Sequence, residues 1–177
     1  MIEKKKEKIY IIISFTGTLL SRIVRFWTCR KYSHTSISLD KELNEMYSFG
    51  RVNPYNPFKG SFVHENIKWG TLKRFHNTKC IIISMDVTKK QYNDVKNIIQ
   101  EFIDNGQKYY KFNIRGIVYA AFNKIIRQKN KYYCSEFVKY VLDNANIDNN
   151  LPGVVKPMDF LKLEKYDVVY EGYLKKY

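Results

Sequence analysis

One cysteine stands where a helix is about to begin. In the stretch KYYCSEFVKYVLDNA, residues 131–145, the apolar positions after Cys134 are Phe137, Val138, Val141, Leu142 and Ala145. They recur at i+3, i+4, i+7, i+8 and i+11, the stripe of an amphipathic helix, with Glu136, Lys139, Asp143 and Asn144 turned outward. A thiol attacks as thiolate, and a free cysteine with a pKa near ~8.5 holds little of it at neutral pH. Helix N-terminal N–H groups and a proton-accepting imidazole both lower that pKa. Cys134 has the first if its helix starts where its stripe starts, and its own N–H could then also hold an oxyanion. Cys29, in WTCRKY, follows a helical pattern at the end where the dipole disfavours a thiolate. Cys80 opens an apolar strand. Residue types alone leave Cys134 between a nucleophile and a buried structural cysteine.

A thiol of this kind needs a base. His76 stands beside Lys73 and Arg74 in a polar stretch, and His64 is on a short strand. His34 opens the alternating HTSISLD, and its same-side neighbours Ser36 and Ser38 are small. An imidazole with so little bulk beside it suits a base that must admit substrate.

These two segments resemble a known family. YYCSEFVKYVLDNA is similar to the nucleophile segment of the NlpC/p60 superfamily of papain-like cysteine peptidases, in which Cys-Ser opens the catalytic helix. Every histidine here precedes Cys134, the reverse of the papain order. That order, the SHTSISLD segment and the later VVKPMDFLKL resemble the circularly permuted branch, the YiiX-like permuted papain-fold enzymes. The resemblance implies Cys134 as nucleophile and His34 as base. It also implies a third, imidazole-orienting polar residue on the strand after the histidine, often Glu. Alignment puts Ser48 near that position, whereas Glu45, the alternative, lies three residues earlier on the opposite face. Ser48 is equally a strand residue that faces this side by alternation.

Around these residues the chain reads as strands with intervening helices. Strands are expected at residues 8–14, over HTSISLD and ELNEMYSFG with a tight turn at Asp40–Glu42, and over SFVHENI, KCIIISMDV and the late DVVYEGYL. Helices are expected over Leu19–Trp27, from a Thr88 cap to about Asp104 before Asn105–Gly106, after KYYKFN, from Cys134, and as a short turn opened by Pro157. The expectation is an α+β fold with a largely antiparallel sheet. The resemblance narrows it to a papain-like fold in permuted order, an antiparallel sheet or small barrel packed against helices. No repeat or linker divides the 177 residues, so one domain, 1–177, is expected.

Composition sets outer bounds. Hydrophobic residues are 45%, with 15 Tyr and 11 Phe, which argues against a disordered chain. No 18-residue apolar run is present to span a membrane. The net charge of +14 fits a lysine-rich bias scattered along the chain, or an anionic membrane surface or polymer. No nucleic-acid motif accompanies it, so nucleic acid is not the expected partner. Glu3 and Glu7 interrupt the basic start that would imitate a signal peptide, and a cytoplasmic location is expected. Three cysteines without metal-ligand spacing suggest neither disulfides nor zinc. The expected activity is a thiol-dependent hydrolase or acyltransferase on an amide or ester, working without metal or organic cofactor. The resemblance implies peptide, peptidoglycan-type or lipid substrates. The alternative is a non-catalytic module that uses the same fold to hold an anionic lipid or nucleic acid.

Overall fold

The structure is a computed structural model that describes residues 6–17, 31–53, 55–56, 59–126 and 128–177. The helix expected over Leu19–Trp27, and Cys29 with it, lies outside the described residues. Six strands form one antiparallel sheet in the order β4-β3-β2-β1-β5-β8. These are β1 Glu7–Phe15, β2 His34–Ser38, β3 Met46–Arg51, β4 Gly60–Glu65, β5 Lys79–Val87 and β8 Asp167–Tyr173. The class is α+β.

The β-branched run of β1 explains its central place. Ile9, Ile11 and Ile13 enter a large core with Ile37, Phe49, Phe62 and Ile83, while Tyr10 and Ile12 enter a smaller one with Met46, Leu72, Ile82 and Leu174. Alternation sends successive residues to opposite faces, so a strand apolar at both must be covered on both.

Helices cover the larger core. Thr88 caps α2 (Lys89–Tyr109), its hydroxyl accepting from the Gln91 N–H at 3.2 Å while the Gln91 side chain accepts from the Thr88 N–H at 2.9 Å. The helix is broken at the expected Asn105–Gly106. Gly106 takes φ +59, and helical turns resume to Tyr109. Helix α4 (Cys134–Asn144) buries Phe137, Val138, Val141 and Leu142 and packs on α2, β2 and β3. Phe137 meets Phe102, Phe49 and Phe62 at ring-centroid distances of 5.0, 5.4 and 5.5 Å. One turn beyond Cys134, this ring sets where the start of α4 can lie.

A short helix α1 (Gly70–Arg74), a parallel strand pair β6 (Lys111–Phe112) and β7 (Lys131–Tyr132), and α3 (Ile114–Ala121) complete the described elements, with 3₁₀ turns at Pro157–Lys162 and Leu174–Lys176. No helix among the described residues is long and apolar enough to cross a membrane.

The strand expected over ELNEMYSFG begins only at Met46. Before it, the Asp40 carboxylate accepts from the backbone N–H groups of Asn44 (3.0 Å) and Glu45 (2.7 Å), which holds residues 40–45 in a turn.

Phe137→Ala is expected to cost about 3–5 kcal/mol by leaving a cavity among the three rings packed on it. Val168→Ser on the exposed part of β8 should stay within about 0.5 kcal/mol. Urea unfolding midpoints at unchanged slope would check both.

Candidate functional site

Strand β2 and the first turn of α4 meet directly. Thr35 Oγ1 and Ser135 Oγ lie 3.2 Å apart in a fully buried contact, which pins the residues beside each of them, His34 and Cys134. Tyr133 precedes the helix in extended conformation (φ −103, ψ 167) and offers no side-chain cap. Glu136 stands in the first turn instead, its carboxylate accepting from the Tyr133 N–H at 3.4 Å. Cys134 is 6% exposed, with Sγ 3.9 Å from Ser135 Oγ. Its thiol is coupled electrostatically to the His34 imidazole and the Thr35 backbone N–H.

His34 is gripped from the other side. Its Nε2–H donates to Glu65 Oε1 at 3.0 Å, since a carboxylate can only accept from it. That leaves Nδ1 for the thiol. Ser48 Oγ is 3.3 Å and Ser36 Oγ 3.4 Å from the same Nε2, and the Ser36 hydroxyl donates to Glu65 Oε2. Three adjacent strands therefore supply the site: His34 and Ser36 from β2, Ser48 from β3, Glu65 from β4.

Of the residues expected from sequence, the fold brings Cys134, His34 and Ser48 together and leaves Glu45 out. Glu45 is exposed in the Asp40 turn, not on β3. The carboxylate that touches the imidazole is Glu65, which the sequence reading did not single out. The expected position lies on the strand beside β2, whereas the acid comes from one strand further. Ser48 is opposite Val63, so Glu65, two residues on, shares the face of Ser48 as its diagonal neighbour. Small residues make the reach feasible. A Cβ on Gly50 would meet Glu65 Oε1 at 3.4 Å and Ser48 Oγ at 3.5 Å. The signal available beforehand was the alternation of Ser61, Val63 and Glu65 in SFVHE, on the face that Ser48 and Gly50 line on the paired strand.

The other histidines are engaged elsewhere. His64 stacks on Tyr47 at 4.9 Å, and its Nε2–H donates to the Asn44 carbonyl at 2.6 Å; His76 is exposed. Cys80 lies in the smaller core, where burial pushes its thiol up to about 12. Among the described residues, no group of three His, Cys, Asp or Glu side chains is arranged to hold a metal ion.

The electrostatics of the cluster act in concert. Burial by itself would raise the Cys134 thiol. The hydrogen bond and charge of His34 outweigh it, helped by the Thr35 N–H and the Ser135 hydroxyl, so the pKa is lowered. Burial pulls His34 down, but the Glu65 charge and the hydrogen bonds to Cys134 and Glu65 hold it well above the ordinary imidazole value. Burial raises Glu65, yet His34, Ser36 and Ser48 keep it below the ordinary carboxylate value. All three shifts favour the charged form of their group: thiolate, imidazolium and carboxylate. The arrangement can make a nucleophile at neutral pH and carry its proton.

Iodoacetamide titrated against pH should modify Cys134 first, with an apparent pKa below that of a free thiol, and leave Cys80 untouched until unfolding. Glu65→Gln should move the Cys134 value upward, because a neutral amide no longer favours the imidazolium. Ser48→Ala should move it less and Glu45→Gln not at all. Equal, slow labelling of all three cysteines would contradict this account of the site.

Comparison with known proteins does not extend this picture: no family model matches the chain, nor does any curated protein or solved structure, and the site stands on its own geometry.

Proposed function

We propose that the chain is a thiol-dependent hydrolase or acyltransferase acting on an amide or ester bond, on a papain-like fold of the NlpC/p60 type in circularly permuted order. The observation that carries the proposal is the position of His34, held by Glu65 at 3.0 Å on a strand whose next residue, Thr35, meets Ser135 beside Cys134 at the start of α4 at 3.2 Å. The chain order of histidine strand before cysteine helix, and the packing of α4 on β2 and β3, support the permuted arrangement.

In this reading the Cys134 thiolate attacks the carbonyl carbon, and the carbonyl electron pair moves onto oxygen. The backbone N–H of Cys134, at the positive end of the α4 dipole, faces that oxyanion. As the tetrahedral species collapses, the carbon–nitrogen or carbon–oxygen bond breaks and the leaving group takes the His34 proton. A thioester remains on Cys134. Water, an amine or an alcohol then gives a proton to His34 and attacks the thioester, which releases the acyl product and restores the thiolate. Glu65, with Ser36 and Ser48 beside it, positions the imidazole and stabilises its charged form. The substrates in view are peptide, peptidoglycan-type or lipid amides and esters.

The test is a panel of chromogenic esters and peptide amides, with intact mass measured during turnover. The expected adduct adds one acyl group, minus one hydrogen, on Cys134. Cys134→Ala should abolish turnover, and His34→Ala should lower kcat about 10²- to 10⁴-fold. Turnover that survives Cys134→Ala would overturn the reading. The pH profile of kcat/KM should be bell-shaped. Its acid limb follows ionisation of the lowered thiol, and its basic limb follows loss of the proton from the raised imidazole. Glu65→Gln should narrow the bell from both sides, since without the carboxylate the imidazole falls and the thiol rises.

A further inference from the structure

Half of the net positive charge falls in one acid-free segment. Between Asp104 and Glu136, 31 residues carry seven basic side chains, from Lys108 to Lys131, and no acidic one, a net +7 of the total +14. Helix α3 lies in the middle of this segment with its large side chains outward. The cap Asn113 and the small residues Gly116 and Ala120 are buried, whereas Ile114, Val118 and Tyr119 are 52%, 53% and 41% exposed. Phe122 at 60% and Ile125 at 56% continue the pattern past the helix end. An amphipathic helix ordinarily buries such a stripe, and a contiguous exposed patch of this kind marks an interaction surface.

The geometry points to a docking face for an anionic lipid bilayer, formed by α3 and the turn that follows it. Three observations favour a membrane over other occupants. Aliphatic and aromatic side chains form most of the protruding face, exposed Arg115 stands among them between Val118 and Tyr119, and exposed Lys111 and Lys124 precede and follow the helix, a mixture of apolar and basic groups suited to the headgroup layer. A second copy of the chain would bring the same +7 to the contact and be repelled. Nucleic acid rewards aromatic faces and phosphate contacts, but gains little from exposed Ile114, Val118 and Ile125.

The start of α3 adjoins the cysteine end of α4. The Asn113 N–H donates to the Tyr132 carbonyl at 2.9 Å, and its Nδ2 donates to Glu136 Oε2 at 3.4 Å, in the first turn of that helix. The start of the docking helix is therefore fastened to the first turn of the helix that carries the thiol. Docking itself does not depend on the thiol chemistry.

Full-length protein would be cosedimented with vesicles of neutral phosphatidylcholine, and of the same lipid with phosphatidylglycerol added. Binding is expected to the anionic vesicles only, falling about tenfold or more as salt rises from about 0.05 to 0.5 M. The variant Ile114→Ser, Val118→Ser, Ile125→Ser and the variant Lys111→Gln, Arg115→Gln, Lys124→Gln should each lose about tenfold or more while keeping the wild-type circular dichroism. Cys134→Ala should bind as wild type does, which separates this proposal from the catalytic one. Absence of binding to anionic vesicles, or undiminished binding by both triple variants, would overturn it. So would a face that instead supports a dimer or retains nucleic acid without binding vesicles.

Discussion

Everything in the site depends on a buried contact between two small hydroxyl groups. Thr35 on β2 and Ser135 on α4 lie 3.2 Å apart with no exposure to solvent, so the helix and the strand cannot slide past one another without stranding two polar groups. His34 and Cys134 are their immediate neighbours in sequence. The aromatic packing around Phe137 presses the same helix onto the sheet one turn later. Position and orientation of the thiol thus come from one polar and one apolar contact on consecutive turns of α4.

That junction encloses charges, and enclosed charges must be matched. The Glu65 and His34 side chains are only 10% and 15% exposed, yet the carboxylate is met by the imidazole and the hydroxyls of Ser36 and Ser48. Such a pair is costly if either partner is removed and close to neutral when both are present. Its benefit lies in the protonation states it enforces. A carboxylate beside a buried imidazole favours the protonated imidazole, and the imidazolium in turn favours the thiolate. The short side chains along this face of β2 and β3 are what let one glutamate from a third strand take part.

The same economy of space governs α3. Gly116 leaves room for the Asn113 side chain, which fastens the start of the helix to the first turn of α4 while its backbone N–H bonds to β7, and Gly116 and Ala120 lie on the buried side. Small residues inward leave large ones outward, which is why an apolar face and a basic segment coincide beside the cysteine helix. Scanned for blocks of consecutive lysines, the charge looks scattered. The distinguishing feature is the absence of acids over 31 residues, which acquires meaning only with the exposure of the residues between.

Local pattern by itself determined much of this protein. The stripe behind Cys134 marks α4 and its start, the alternation after His34 marks β2, and the isoleucine runs mark β1 and β5, because these depend on the spacing of apolar residues along one segment. Caps and turns were readable where a side chain acts on its own neighbours, as at Thr88. The Asp40 turn is equally local, but its carboxylate reaches N–H groups four and five residues on, so the strand that contains Ser48 starts later than alternation suggested and Glu45 falls outside it. The partner of His34 was not readable, since Glu65 is 31 residues away and two strands across. Its approach depends on how β3 and β4 register and on what small residues lie between them. Strand register, the rotation of α3 and the meeting of Thr35 with Ser135 are decided by contacts between distant segments, and only the tertiary structure holds those contacts.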